Sequence, residues 1–129
     1  MKLYLLDAGG AGLVIGALIL FIIIAIAVEA IVMLLMKYNK AGKVFLDSFL
    51  VNIASLAGGF ILNSFTGELF GFTTSPILNL VILYAITLVI EFPLLYLLNR
   101  KQPAGKTFLT CAVMNIVSYI ILYLFVEGI

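Results

Sequence analysis

The sequence has no histidine, no tryptophan and a single cysteine, Cys111. Without histidine, most nucleophile–base pairs and most zinc sites lack a necessary part. A lone cysteine excludes an intrachain disulfide or a cysteine metal cluster. No paired aspartate motif stands in for these, so the chain is read as non-enzymatic, and no metal or cofactor is expected. Charge is scarce as well: 10% of the 129 residues are charged, 65% are apolar and the mean hydropathy is +1.32. A water-soluble domain has about 25% charged and about 45–50% apolar residues. The composition asks for lipid as the solvent.

Four apolar runs are long enough to cross a bilayer, which takes roughly 20 residues. They lie near Ala11–Met36, Val44–Leu62, Pro76–Leu98 and Phe108–Phe125. Little chain is left over, so the expectation is one all-α domain over residues 1–129, a four-helix transmembrane bundle. The first run is far longer than the roughly 7–15 apolar residues of a signal peptide, and only Lys2 precedes it, so it is expected to be retained.

Six of the seven basic residues fall in two short loops. "KYNKAGK" holds Lys37, Lys40 and Lys43, and "NRKQPAGK" holds Arg100, Lys101 and Lys106. The opposite side carries Lys2, Asp7, Glu68 and Glu127. The positive-inside rule puts both basic loops in the cytoplasm and both termini outside, with the loop "NSFTGELFGFTTSP". The asymmetry opposes insertion in two orientations. Three positive charges per loop are what orientation alone requires, so nucleic acid is not an expected partner. The expected location is a bacterial inner membrane, on the strength of the compact four-span design.

The halves resemble each other. "AGKVFLDSFLVNIAS" (41–55) aligns with "AGKTFLTCAVMNIVS" (104–118) with eight identities in fifteen. Upstream, "EAIVMLLM" aligns with "EFPLLYLL", and Pro103 marks the one extra residue of the second loop. Glu29 thus corresponds to Glu91, Asn52 to Asn115 and Ser55 to Ser118. Each repeat (11–64 and 76–126) reads as a helical hairpin. Two tandem hairpins keep one orientation and are expected to be related by a pseudo-twofold axis along the membrane normal.

Glu29 lies about eleven residues, or roughly 16 Å, before the centre of the first basic loop, and Asn52 about as far beyond it. Both therefore sit near the bilayer midplane, and Glu91 and Asn115 repeat the arrangement. Glu29 is within reach of Asn52 in its own hairpin or of Asn115 across the bundle. An amide satisfies a carboxyl in either protonation state. A charged carboxylate at this depth costs at least a few kcal/mol, so the neutral form is expected unless a cation or a water-filled cavity is present. Ser48, Asn52, Ser55 and Gly59 form one stripe of a helix, matched by Cys111, Asn115, Ser118 and Leu122. Gly12 and Gly16 make a small-xxx-small pair suited to an intrachain contact or a dimer seam. Pro93, two residues after Glu91 and replaced by Ile31 in the first repeat, is positioned to kink the third helix. Thr74 or Ser75 is expected to cap that helix ahead of Pro76. Phe65, Phe70 and Phe72 point to an outer loop lying in the interface, and Tyr38, Tyr96 and Tyr123 to interfacial anchors.

Two functions follow. In the first, the chain is a structural or accessory subunit of a larger membrane complex, and Glu29, Asn52, Ser55, Glu91, Asn115 and Ser118 hold its helices together. Its partners are then the lipid bilayer and other membrane subunits. In the alternative, the same six residues form an intramembrane site of a small proton- or cation-coupled transporter or channel: the acids bind the proton or cation, the asparagines ligate or orient, and the serines line the path. A single four-helix chain leaves little room for a cavity and its walls, so this reading calls for a homodimer.

Overall fold

The computed structural model describes residues 8–66 and 74–128. They form four helices, α1 (Ala8–Leu35), α2 (Ala41–Thr66), α3 (Pro76–Leu98) and α4 (Ala104–Glu127). Each contains an apolar stretch long enough to span a membrane: Ile15–Leu35, Ala41–Leu62, Ile77–Leu98 and Ala104–Phe125. At 1.5 Å per residue these stretches are about 32 Å long, matching a hydrocarbon core of about 30 Å. The architecture is that of a multi-pass membrane protein. The outer-loop phenylalanines Phe70 and Phe72 and the side chain of Phe65 lie outside the described residues, as do Lys2, Asp7 and Glu68.

Three helices, α1 at Ala8 among them, start earlier than hydropathy suggests. α2 begins at Ala41 and α4 at Ala104, because the backbone ladder continues past the point where lysines enter the sequence. Val44 N–H donates to the Lys40 carbonyl at 2.9 Å and Thr107 N–H to the Pro103 carbonyl at 3.0 Å. Hydropathy locates the lipid boundary; the hydrogen bonds locate the helix end.

The ends have identifiable causes. α1 stops in a left-handed turn at Lys37 (φ 54°). There Tyr38 N–H reaches back to the Met33 carbonyl at 2.9 Å and Lys37 N–H to Leu34 at 3.0 Å, satisfying carbonyls the helix would leave bare. Ser75, not Thr74, caps α3: its Oγ accepts from Leu78 N–H at 3.3 Å, with Pro76 in the first turn. α3 runs as one helix through Pro93, whose side chain is exposed. Proline has no N–H to give the carbonyl four residues back, at Val89.

The helices form a closed ring. α1 packs on α2 and α4, and α3 packs on α2 and α4, while the diagonal pairs make no backbone contact among the described residues. Packing is uneven along the ring. The buried apolar side chains are Ala30, Val32, Met33, Tyr38, Val44, Val51, Leu95, Cys111 and Met114. All lie between the acid layer and the basic loops; among the described residues, no side chain beyond that layer is fully buried. The bundle has a tight half at the basic-loop end and a loose half at the other.

Polar contacts tie the tight end. Asp47, fully buried in α2, takes the Lys43 ammonium at 2.6 Å and the Asn99 amide at 2.7 Å. Asn99, at the C-cap of α3, accepts from Asn39 Nδ2 at 2.7 Å, so the two basic loops are joined side chain to side chain. Tyr38 Oη and Thr107 Oγ1 hydrogen-bond at 2.8 Å, and Gln102 Nε2 donates to the Tyr38 carbonyl. Tyr38 is therefore a buried plug and not an interfacial anchor; Tyr96 and Tyr123 are exposed. Burial raises its phenol above the ordinary value; the Thr107 hydrogen bond opposes this and the Asp47 carboxylate adds to it. Among the described residues Gly12 and Gly16 make no intrachain seam, since a Cβ built on either meets nothing within 4 Å.

Candidate functional site

Glu29 and Glu91 are both almost completely buried, at 1% exposure. Glu29 Oε2 accepts from Asn52 Nδ2 at 2.6 Å and its Oε1 from Ser118 Oγ at 3.1 Å. Glu91 Oε2 accepts from Asn115 Nδ2 at 2.8 Å and its Oε1 from Ser55 Oγ at 2.6 Å. Each acid thus takes an asparagine from its own hairpin and a serine from the other. The choice that periodicity left open is resolved: Glu29 meets Asn52, not Asn115. All six residues singled out from the sequence stand in one layer.

The asparagines are pinned from below. Asn52 Nδ2 also donates to the Ser48 carbonyl at 2.8 Å, and Asn115 Nδ2 to the Cys111 carbonyl at 2.9 Å, each one turn back on its own helix. Ser48 Oγ donates to the Ile26 carbonyl at 3.0 Å and lies 3.5 Å from Glu29 Oε2, so it chiefly fastens α2 to α1. The Cys111 thiol is 3.7 Å from Asn115 Nδ2. The stripe expected from spacing is real, and its lower members support its upper ones.

Above the layer lies a cavity of about 350 Å³. Glu29, Asn52, Ser55, Glu91, Asn115 and Ser118 all line it, together with Thr87 and Tyr119. The rest of the described wall is apolar and comes from the loose half: Leu18, Phe21, Leu83, Ile86, Leu122 and Phe125 are among its residues. From Glu29 to Leu18 is eleven residues of α1, so the cavity runs about 16 Å from the acids away from the basic loops. Small inward-facing residues, Ala25, Ser55, Gly59 and Ser118, leave the space. A Cβ on Gly59 meets nothing within 4 Å, whereas one on Gly58 would come within 2.6 Å of Ile90 Cδ1, where α2 and α3 close together.

Sequence reasoning overlooked several of these groups. Thr87 Oγ1 and Tyr119 Oη hydrogen-bond at 2.8 Å across α3 and α4, and Tyr84 Oη donates to the Ala112 carbonyl at 2.9 Å. Thr87 is four residues before Glu91 and Tyr119 four after Asn115, so helical spacing was the signal. Asp47 was legible in the same way, four residues after Lys43. Asn39 and Asn99 carried no signal, since their pairing joins loops sixty residues apart. Thr110, at the repeat position of Asp47, is buried and its hydroxyl has no hydrogen-bond partner among the described residues.

Among the described residues, no three His, Cys, Asp or Glu side chains converge as a metal site. No protein-family model, no curated protein and no solved structure matches the chain. What the site does must be argued from its own chemistry.

Proposed function

We propose that the chain is a small carrier that exchanges cations for protons at Glu29 and Glu91. The observation that carries this reading is that both acids form the floor of a cavity within one chain. Acids serving only as glue have no need of open space above them, and the objection that four helices leave no room for a cavity falls away. A net charge at this depth is costly. Cation arrival is therefore balanced by proton departure: a protonated carboxyl releases its proton to water and its carboxylate pairs with the cation.

The proposal includes a tandem-repeat architecture, with the two hairpins related by a pseudo-twofold axis along the membrane normal. The reciprocal bonding supports it, because Glu29–Asn52–Ser118 and Glu91–Asn115–Ser55 exchange into each other when the hairpins exchange. In a bacterial inner membrane with the basic loops in the cytoplasm, the cavity faces the outside and the tight half closes the inner side.

A second reading has its own support. All four carboxyl oxygens are engaged by neighbouring helices, which is what an accessory subunit held together by polar contacts would need. Interhelical hydrogen bonds in lipid average about 0.6 kcal/mol.

Proteoliposomes with a trapped pH dye separate the two. Imposed gradients of sodium, potassium or organic ammonium ions should move protons in the wild type and not in the doubly substituted Glu29→Gln, Glu91→Gln protein. If no gradient moves protons, or the double variant matches the wild type, the carrier reading fails. A native complex containing other proteins, unaffected by the same substitutions, would then establish the subunit reading.

A further inference from the structure

We infer that the ligand of the cavity is a hydrophobic organic ammonium ion, its charged group against Glu29 and Glu91 and its body among Phe21, Phe125, Ile86 and Leu122. The inference rests on the proposed site to the extent that these acids face the ligand. It is carried by what the floor has left to offer once its internal hydrogen bonds are counted.

The floor's amide and serine donors are spent. Asn52 and Asn115 each place their NH₂ group between a carboxyl oxygen and a main-chain carbonyl. Ser55 Oγ donates to Glu91 and Ser118 Oγ to Glu29. The Thr87 and Tyr119 hydroxyls are paired with each other, which uses one of their two hydrogens. What remains, once the carboxyls have given up their protons, are acceptor sites on the carboxyl oxygens and on the two amide oxygens, beside one hydroxyl hydrogen of the Thr87–Tyr119 pair. Among the described residues, no Lys or Arg lines the cavity. A floor of acceptors beneath walls without positive charge rejects anions and favours a cation.

The walls decide which cation. A bare metal ion wants oxygen ligands on all sides, six or more for the common hard cations. Among the described lining residues the polar groups lie at one end, and the other walls are aliphatic or aromatic. A hydrated ion would fill the space with water facing hydrocarbon. At about 350 Å³ the volume falls at the small end of the range for small-molecule sites, roughly 300–1,000 Å³. An ammonium on an apolar body matches both ends of the cavity. Phe21 and Phe125 meet edge to face with centroids 5.2 Å apart and add aromatic surface to the wall. Aromatic faces also attract cations.

The test is calorimetric titration of the full chain in lipid nanodiscs with four probes: phenyltrimethylammonium, its neutral carbon isostere tert-butylbenzene, benzenesulfonate and sodium chloride. Saturable binding of phenyltrimethylammonium tighter than about 1 mM is expected, and none of the isostere or the anion. Glu29→Gln with Glu91→Gln should weaken it by at least about 30-fold, the usual scale for removing one side of a desolvated charge pair. Should that variant fail to fold, Gly59→Leu fills the space without touching an acid and should abolish binding. Equal binding of tert-butylbenzene would overturn the inference and make the cavity a plain apolar pocket, suited to a lipid chain. So would binding that survives Gly59→Leu, or no binding of the ammonium. Proton exchange driven only by sodium or potassium would refute this ligand class and leave the carrier standing. Saturable ammonium binding without proton exchange would refute the carrier and leave the ligand class.

Discussion

Asn99→Ala should open the tight end of the bundle. Asn99 is 5% exposed and makes two side-chain contacts between elements: its amide donates to buried Asp47 at 2.7 Å and its carbonyl accepts from Asn39 at 2.7 Å. A hydrogen bond to a charged group contributes about 1.5–3 kcal/mol and a neutral one about 1 kcal/mol. Alanine supplies neither, and Asp47 Oδ2 is left buried with no donor in place of the amide. The expected loss is about 3 kcal/mol, a rise of about 150-fold in the opened population. Cys111, fully buried in the tight half, is the only thiol and serves as the reporter. In mild detergent, its rate of maleimide labelling should rise by that factor where closing outpaces labelling. A change under about threefold would refute the claim that these loop contacts close the bundle.

Thr110→Val removes a buried hydroxyl that has no partner among the described residues and keeps the side-chain shape, so it should stabilise by about 1 kcal/mol in the same assay; a loss of that size would mean the hydroxyl is bonded. Tyr38→Phe deletes the 2.8 Å bond to Thr107 and should cost about 1 kcal/mol at neutral pH. Burial holds the Tyr38 phenol protonated above its ordinary value. Its contribution is therefore complete below the unfolded phenol's pKa of about 10 and is lost as pH rises through the higher folded value. Labelling of the wild type should climb above about pH 10 more steeply than that of Tyr38→Phe, and parallel curves would refute this. Ser55→Ala with Ser118→Ala removes both cross-hairpin bonds to the acids and should cost about 1–3 kcal/mol, read by thermal unfolding in detergent; no change would mean that the acids do not couple the hairpins.

Much of this protein is written locally. The four spans, the helix cap before Pro76, the sequence repeat and the six residues of the acid layer all follow from composition and from helical spacing, which a short window contains. Glu29 and Asn52 were placed at one depth by counting residues from a loop. Composition alone also demanded lipid, since nothing else dissolves so apolar a chain.

Other features are set only when four helices close a ring. Whether Glu29 takes Asn52 or Asn115 depends on helix rotation, which one sequence period leaves free. Asn39 with Asn99, and Tyr38 with Thr107, pair residues sixty or more positions apart, and no local pattern links them. Tyr38 reads as an anchor because it borders a span, yet it turns inward once Lys37 takes the left-handed turn. The cavity is the largest of these features. A stretch of sequence shows that Ala25, Ser55, Gly59 and Ser118 are small, but empty volume is a property of what stands opposite. Only tertiary packing places small residues on facing helices, and so decides that a space opens above the acid layer.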